Sequence, residues 1–179
     1  MAELTAETRR ALGVGAEAAQ IASAILLARR DTRRAGAEAK TSATDLVLDA
    51  DRAAEDAIVA KLRAEFPDDE IVSEEGGGSS GTSSRRWYVD PIDGTINFFY
   101  GIPHYAIALA LEDAGGVLAA IVLDPSRGEL FVGARGAGAW LVADDQPAPW
   151  SDEPTGSRLA VTAADDLAAA LVATGFAYL

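Results

Sequence analysis

The N-terminal third of the chain repeats its apolar residues at the spacing of an α-helix. From residue 5 to about residue 30 the sequence is rich in Ala, Leu and Arg, and apolar side chains recur three or four residues apart. A second run, from about residue 49 to residue 66, repeats its apolar side chains every fourth residue and ends before Pro67. Two long amphipathic helices are therefore predicted at 5–30 and 49–66.

Beyond Pro67 the pattern changes to short apolar runs bounded by Gly, Pro and Asp, which is typical of strands. These runs predict strands at residues 70–72, 87–89, 105–111, 117–123, 129–133 and 139–142. Helices first and then adjacent strands predict an α+β fold, a layered sandwich with a mostly antiparallel sheet.

The segments between and after these strands carry turn signals. Residues 76–84 are nearly all Gly and Ser, which predicts either a flexible linker or a mobile lid. The glycines of residues 133–140 lie between two predicted strands, so a hairpin turn is favoured over a nucleotide-binding loop. A last strand at 158–161 and a helix that begins at Thr162 and ends before Gly175 complete the predicted elements.

Composition narrows the classes of function. The chain has 179 residues, 49% of them hydrophobic, which is enough for a substantial core. Its formal net charge is −13, and no Lys/Arg run exceeds two residues, so a nucleic-acid partner is not expected. The absence of cysteine excludes disulfides and thiol nucleophiles, and the single histidine, His104, is interpreted as structural.

Membrane insertion is not expected from the sequence either. The longest apolar runs of the strand region, 105–111 and 117–123, are far shorter than the ~20 residues that a membrane helix needs. The first residues include Glu3, Glu7 and Glu17, where a secretory signal would have a basic and then an apolar stretch. A cytoplasmic location is therefore predicted.

The segment 87–103 carries the strongest chemical signal. A short apolar strand ends at Asp90, Pro91 forces a turn, and Asp93 follows, so that two carboxylates are expected to face one small volume. Hard cations such as Mg²⁺ prefer such oxygen ligands. Gly94 and Thr95 are predicted to begin a short helix whose backbone N–H groups would face an anion.

Asp-Pro and Asp-Gly pairs are also ordinary turn formers, so the two aspartates alone do not establish a metal site. Other acidic residues strengthen the hypothesis, since Glu74 and Glu75 end the preceding strand and Asp51 lies at the start of the second helix. Acidic side chains gathered at the ends of elements repel one another unless a cation lies between them.

Four segments together resemble the inositol monophosphatase family, in the order in which they occur in that family. They are residues 45–51, Ser73 to Glu75, residues 90–95 with Asn97, and residues 124–141. The resemblance covers nearly the whole chain from Lys40 onward. It implies a sandwich of the sugar phosphatase type and a lithium-sensitive, Mg²⁺-dependent hydrolase of polyol or sugar monophosphates, with myo-inositol 1-phosphate as reference substrate. It also implies a homodimer.

The resemblance assigns roles to individual residues. The metal ligands implied are Glu74, Asp90, the backbone carbonyl of Ile92, and Asp93. The catalytic residues implied are Asp51, Glu74 and Thr95, of which Thr95 and Asp51 resemble the pair that orients the attacking water. The substrate-binding residues implied are Glu74, Ile92, Asp93, Gly94 and Thr95. Lys40 matches a basic family position near the site.

Members of the family continue through a further strand and helix to a Trp-Asp pair, and this chain ends at Leu179 before such a motif. Residues 1–143 are accordingly predicted as a metal- and phosphate-binding domain, and residues 144–179 as the start of a second α/β domain. Activity on histidinol phosphate or fructose 1,6-bisphosphate, or a non-catalytic binding or regulatory module, are alternatives. A phosphoaspartyl mechanism on Asp90 would need a carboxylate at the position of Ile92.

Overall fold

Two long helices form one layer of the protein. The structure is a computed structural model that describes residues 3–32, 34–39, 46–143 and 156–173. Helix α1 spans Ala6–Arg29, and the hydroxyl of its N-cap residue Thr5 accepts a hydrogen bond from the Thr8 N–H at 3.1 Å. Helix α2 spans Asp49–Glu65. Both helices predicted from the apolar spacing are confirmed.

Helix α1 is the central helix of the core. It packs against α2 and against the sheet, and it approaches the sheet closely at Gly15, where a Cβ atom would lie 2.6 Å from Cδ1 of Ile121. With the turn that follows it, over residues 6–32, α1 is long and apolar enough to cross a bilayer, but 61% of its apolar stretch is buried inside the protein. That burial is typical of a core helix.

The second layer is a seven-stranded sheet. Strands β1 (Glu38–Ala39) and β2 (Leu46–Val47) form a separate antiparallel pair. The sheet consists of β3 (Glu70–Ser73), β4 (Arg86–Asp93), β5 (Ala106–Asp113), β6 (Gly116–Asp124), β7 (Glu129–Ala134), β8 (Gly138–Ala143) and β9 (Ser157–Leu159), in chain order. All neighbours are antiparallel except β3 and β4, which are parallel. The predicted α+β sandwich with a mostly antiparallel sheet is confirmed.

The two faces of the sheet differ in what covers them. Alternate side chains such as Trp87, Leu109 and Ile121 are buried in the core that α1 and α2 share with the sheet. The opposite side is called here the open face, and no helix within the described ranges packs on it. It is formed by Val72, Tyr88, Ala108, Ala110, Ala120 and Val122. Val72, Tyr88 and Val122 are 39%, 38% and 38% exposed.

The helix predicted to begin at Thr162 is wrong over the described residues. The strand before it is shorter than predicted, and between that strand and residue 173 the described chain forms a single 3₁₀ turn, Leu167–Ala169. Val161 and Leu171 are 97% and 102% exposed, so an apolar helix face would have nothing to pack against. Since short helices depend on packing, the apolar spacing alone does not form one here. Residues 174–179 lie outside the described residues.

The glycine-rich residues 133–140 form the predicted hairpin, in which β7 turns into β8 and Gly136 adopts a φ of 76°. Strand β9 lies in the segment predicted to start a second domain, and it pairs with β8 in the same sheet. The division of the chain at residue 143 stays a prediction, because residues 144–155 lie outside the described residues.

Candidate metal centre

Two neighbouring strands bring the first two acidic residues together. Parallel pairing sets Ser73 of β3 opposite Val89 of β4, so Glu74 and Asp90 follow at the same end of adjacent strands. The pairing continues one residue further, because the Glu74 N–H donates to the Val89 carbonyl at 3.2 Å. The side chains of Asp90 and Glu74 lie close enough for a hydrogen bond between their carboxyl groups.

A β-bulge adds the third carboxylate. Residues three apart on a regular strand point to opposite faces, but Asp90 lies opposite Ala108 while Asp93 lies opposite Ala106. Strand β4 therefore carries one residue more than β5 over this stretch, and the extra residue turns Asp93 back to the side of Asp90. The predicted spacing of two aspartates on one volume depends on this bulge.

These carboxylates line a cleft of about 560 Å³. Asp124, at the end of β6, also lines it, and its Oδ1 accepts hydrogen bonds from the N–H groups of Ser126 (2.8 Å) and Arg127 (3.1 Å). Asp124 begins one of the four family-like segments, but its place in the cleft was not predicted from the sequence. Only the antiparallel return of β6 places it near β4, which the local sequence does not reveal.

The electrostatics of the cleft favour a bound cation. Burial, followed by repulsion from Glu74 and Asp93, raises the pKa of Asp90 to about 7. Its Oδ1 is buried and has no hydrogen-bond partner among the described residues. A buried acceptor beside two further carboxylates is costly alone and is the oxygen donor set that Mg²⁺ prefers.

The ligand set is open. Within the described ranges, no group of three or more Asp, Glu, His or Cys side chains is arranged closely enough to enclose a metal ion. Mg²⁺ usually keeps several waters and binds through one or two carboxylates plus substrate phosphate. The paired carboxylates of Glu74 and Asp90, with Asp93 nearby, fit that mode of binding.

The short helix predicted after Asp93 is confirmed as α3, Thr95–Tyr100. Gly94 precedes it with a φ of 93°, and a Cβ atom there would lie 3.1 Å from the His104 carbonyl. The Thr95 hydroxyl donates to the Ile92 carbonyl at 3.0 Å, and the Asn97 amide donates to the His104 carbonyl at 2.6 Å. These bonds fix the helix at the floor of the cleft.

Asp51 is placed differently from the other expected site residues. It is 1% exposed, and its Oδ2 accepts the Leu48 N–H at 2.8 Å, which caps the start of α2. It is not among the described residues that line the cleft, whereas Glu74, Asp90, Ile92, Asp93, Gly94 and Thr95 all are. Lys40 lies outside the described residues.

Known proteins share this arrangement of sequence and fold. A sequence model of the inositol monophosphatase family matches residues 8–178. The Nus factor SuhB of Pseudomonas aeruginosa is 42% identical over 139 residues, 76% of this chain and 46% of its own. The extragenic suppressor protein suhB of Bartonella henselae superposes with a TM-score of 0.71 at 34% identity, covering 78% of this chain and 54% of its own.

A third protein relates the fold to ligands. The structure of an IMPase/NADP phosphatase complexed with Mg²⁺ and phosphate superposes with a TM-score of 0.57 at 27% identity, covering 66% of this chain and 46% of that one. A protein of similar fold therefore binds both Mg²⁺ and phosphate, which supports magnesium dependence in the family.

The comparisons also bear on the extent of the chain and on its partners. The chain spans about half of the length of the curated relatives it matches, 46% and 58% for two of them. The P. aeruginosa relative carries the name of a Nus factor and not of a phosphatase, so the exclusion of nucleic acid stays a prediction. Because the family match spans nearly the whole sequence and the cleft gathers the family-like acidic residues, the chain belongs to the inositol monophosphatase family.

Proposed function

We propose that this chain forms the metal-binding part of a Mg²⁺-dependent phosphomonoesterase that acts on a small polyol or sugar monophosphate, with myo-inositol 1-phosphate as the first substrate to test. The observation that carries the proposal is the buried Oδ1 of Asp90, which lacks a hydrogen-bond partner among the described residues and lies beside Glu74 and Asp93. A cation would neutralise the charges that these carboxylates gather.

In this proposal, the residues around the cleft hold two Mg²⁺ ions. Glu74, Asp90 and the Ile92 carbonyl would hold one Mg²⁺, and Asp90 and Asp93 a second. Bound magnesium supplies polarisation of the phosphoryl oxygens and a lower pKa for the attacking water.

The first turn of α3 would bind the phosphate. The backbone N–H groups of Gly94 and Thr95 lie at its start, beside the carboxylates. The Thr95 hydroxyl, which donates to the Ile92 carbonyl, lies where it could turn to a water in the cleft, and Asp51 is its proposed partner. We also propose that the protein is a cytoplasmic homodimer. A second domain beyond residue 143 would complete the pocket.

A phosphate-release assay tests the proposal. The 179-residue chain and a longer natural form are assayed on several polyol and sugar monophosphates, with Mg²⁺ and with EDTA. Release that requires Mg²⁺ and is lost in Asp93→Asn supports the proposal. Equal release in EDTA, or full turnover by Asp93→Asn, would contradict it.

A non-catalytic binding module is the second candidate, and the relative's name as a Nus factor favours it. It predicts that the longer form also releases no phosphate from any of these substrates, although Mg²⁺ still binds. The same assay, run beside a calorimetric Mg²⁺ titration, separates the two candidates.

A further inference from the structure

Glu55 lies in the middle of α2 and is buried although it carries a carboxylate. Only 3% of its surface is exposed. Burial of a carboxylate is costly unless hydrogen bonds replace its water. The Glu75 N–H donates to Oε2 and the Gly77 N–H donates to Oε1, both at 2.7 Å. Both carboxylate oxygens of Glu55 therefore accept hydrogen bonds from the backbone that directly follows Glu74.

Glu74 is consequently held on both sides. Its own N–H is bonded to the Val89 carbonyl of β4, and the next peptide N–H is bonded to Glu55. The loop also passes directly beside this carboxylate, because a Cβ atom at Gly77 would lie 2.5 Å from Oε1 of Glu55. The direction in which Glu74 leaves the strand thus depends on a carboxylate of another element.

Arg63, two turns further along α2, holds the far part of the same loop. Its guanidinium donates to the carbonyls of Gly77 and Gly78 at 3.3 and 3.2 Å and to the Ser79 hydroxyl at 3.2 Å. Arg63 is exposed, whereas Glu55 is buried next to the site. The loop is therefore attached to α2 at two points, of which Glu55 is the one adjacent to Glu74.

We propose that Glu55 is a positioning residue of the metal centre, which fixes the backbone after Glu74 so that the Glu74 carboxylate meets Asp90 at a bound Mg²⁺. The inference rests on the proposed function, since it assigns to Glu55 the orientation of a metal ligand. Residues that orient metal ligands typically contribute about 10–100-fold to metal affinity. Glu55 itself touches neither metal nor substrate in this role.

Calorimetric Mg²⁺ titration of the 179-residue chain tests the inference, with Glu55→Ala, Glu55→Gln and the matched control Glu65→Gln. Glu65 lies on the same helix at the surface, bonded to Arg10 and Lys61. We expect Glu55→Ala to raise the Mg²⁺ Kd by about tenfold or more. The Mg²⁺ Kd of Glu55→Gln is expected to lie between those of the wild type and Glu55→Ala, because its amide oxygen still accepts one N–H. The Kd of Glu65→Gln is expected to match that of the wild type.

Hydrogen exchange and thermal unfolding separate positioning from a purely structural role. The amides of Glu75 and Gly77 are expected to exchange faster in Glu55→Ala, at a temperature where the variant is folded. A lower Tm with an unchanged Mg²⁺ Kd would overturn the inference and leave the proposed function intact. If Glu55→Ala does not fold, the Mg²⁺ Kd of Glu55→Gln is compared with that of Glu65→Gln, and equal values would overturn the inference. A wild-type chain that binds no Mg²⁺ would overturn both the proposed function and this role.

Discussion

Asp90 is the site residue whose ionised form is destabilised by burial and by repulsion from its neighbours. Its raised pKa, about 7, means that the folded chain without a cation is stabilised by Asp90 most fully below its unfolded pKa of 3.8. That stability is lost as the pH rises through 7, because the ionised carboxylate is buried against Glu74 and Asp93. The ionised carboxylate of Asp90 therefore favours Mg²⁺ binding but destabilises the folded chain when no cation is bound.

Asp90→Asn is expected to separate these two effects. The Mg²⁺ Kd rises by about 100-fold or more, since even the outer partners of metal ligands contribute about 10–100-fold. In EDTA at pH 8, Tm rises, because the repulsion among the three carboxylates is relieved. Calorimetry and thermal unfolding measure the two, and a variant that binds Mg²⁺ like the wild type would contradict the role of Asp90 as a ligand.

Gly94→Ala tests the backbone at the floor of the cleft, with Gly116→Ala as control. Gly94 and Gly116 have φ values of 93° and 98°, so each substitution costs about 1–2 kcal/mol from the left-handed backbone. A Cβ atom has nothing within 4 Å at Gly116 but lies 3.1 Å from the His104 carbonyl at Gly94.

We expect Gly94→Ala to lose more stability in urea unfolding than Gly116→Ala, and to weaken binding of inorganic phosphate in the presence of Mg²⁺. Equal losses in the two variants, with phosphate binding unchanged, would show that the close approach to the His104 carbonyl is of no consequence.

At the scale of elements, an ion pair joins the turns at one end of the sheet. Arg135, in the β7–β8 turn, donates to both carboxylate oxygens of Asp113 at 2.7 Å. The guanidinium, and then the Gly115 N–H, lower the pKa of Asp113 to about 2. The stability that this pair contributes is present above pH 3.8 and is lost as the pH falls towards 2.

Asp113→Asn is therefore expected to lower Tm by about 1–3 °C at pH 6, as for a modest surface ion pair, and to match the wild type near pH 2. Asp56→Asn, an exposed substitution on α2, serves as the control and leaves Tm nearly unchanged. Thermal unfolding from pH 2 to pH 7 follows the difference, and a constant gap over that range would rule out the ion pair as its cause.

The sequence predicted the elements that bury a regular face. Helices α1 and α2 and strands β4 to β8 carry apolar residues at spacings of 3.6 and 2, because each has one side in the core. The helix expected after Thr162 failed for the same reason, since its apolar residues have no surface to pack against in the described part of the chain.

The candidate site was predictable only in its local part. Asp90, Asp93 and Gly94 are close in sequence, and a turn between them is readable from Pro91. The β-bulge, the approach of Asp124 and the anchoring of the loop by Glu55 depend on pairing between distant segments. No local pattern encodes such contacts. The sequence also predicted a catalytic role for Asp51 and did not predict that it caps the start of α2.

At the scale of the molecule, the open face leaves apolar surface in water. Val72 is 39% exposed there, and Ile21, on α1, is 43% exposed on the other side of the protein. Exposed apolar patches of a sheet promote association. We expect Val72→Lys to reduce self-association in analytical ultracentrifugation and to reduce binding of an apolar dye, whereas Ile21→Lys changes neither. Equal effects of the two variants would contradict a special role of the open face.

Strand β3 lies at the edge of the sheet and pairs with β4 in parallel, whereas the other neighbouring strands of the described sheet are antiparallel. Residues 74–85 connect β3 to β4. The antiparallel strands β5 to β8 are linked by short turns and close early in folding, whereas a parallel pair must first close a longer loop. Glu74 would then reach Asp90 in a late step. A cation that binds the finished site cannot hasten the steps before it, so Mg²⁺ is expected to slow unfolding more than it accelerates folding.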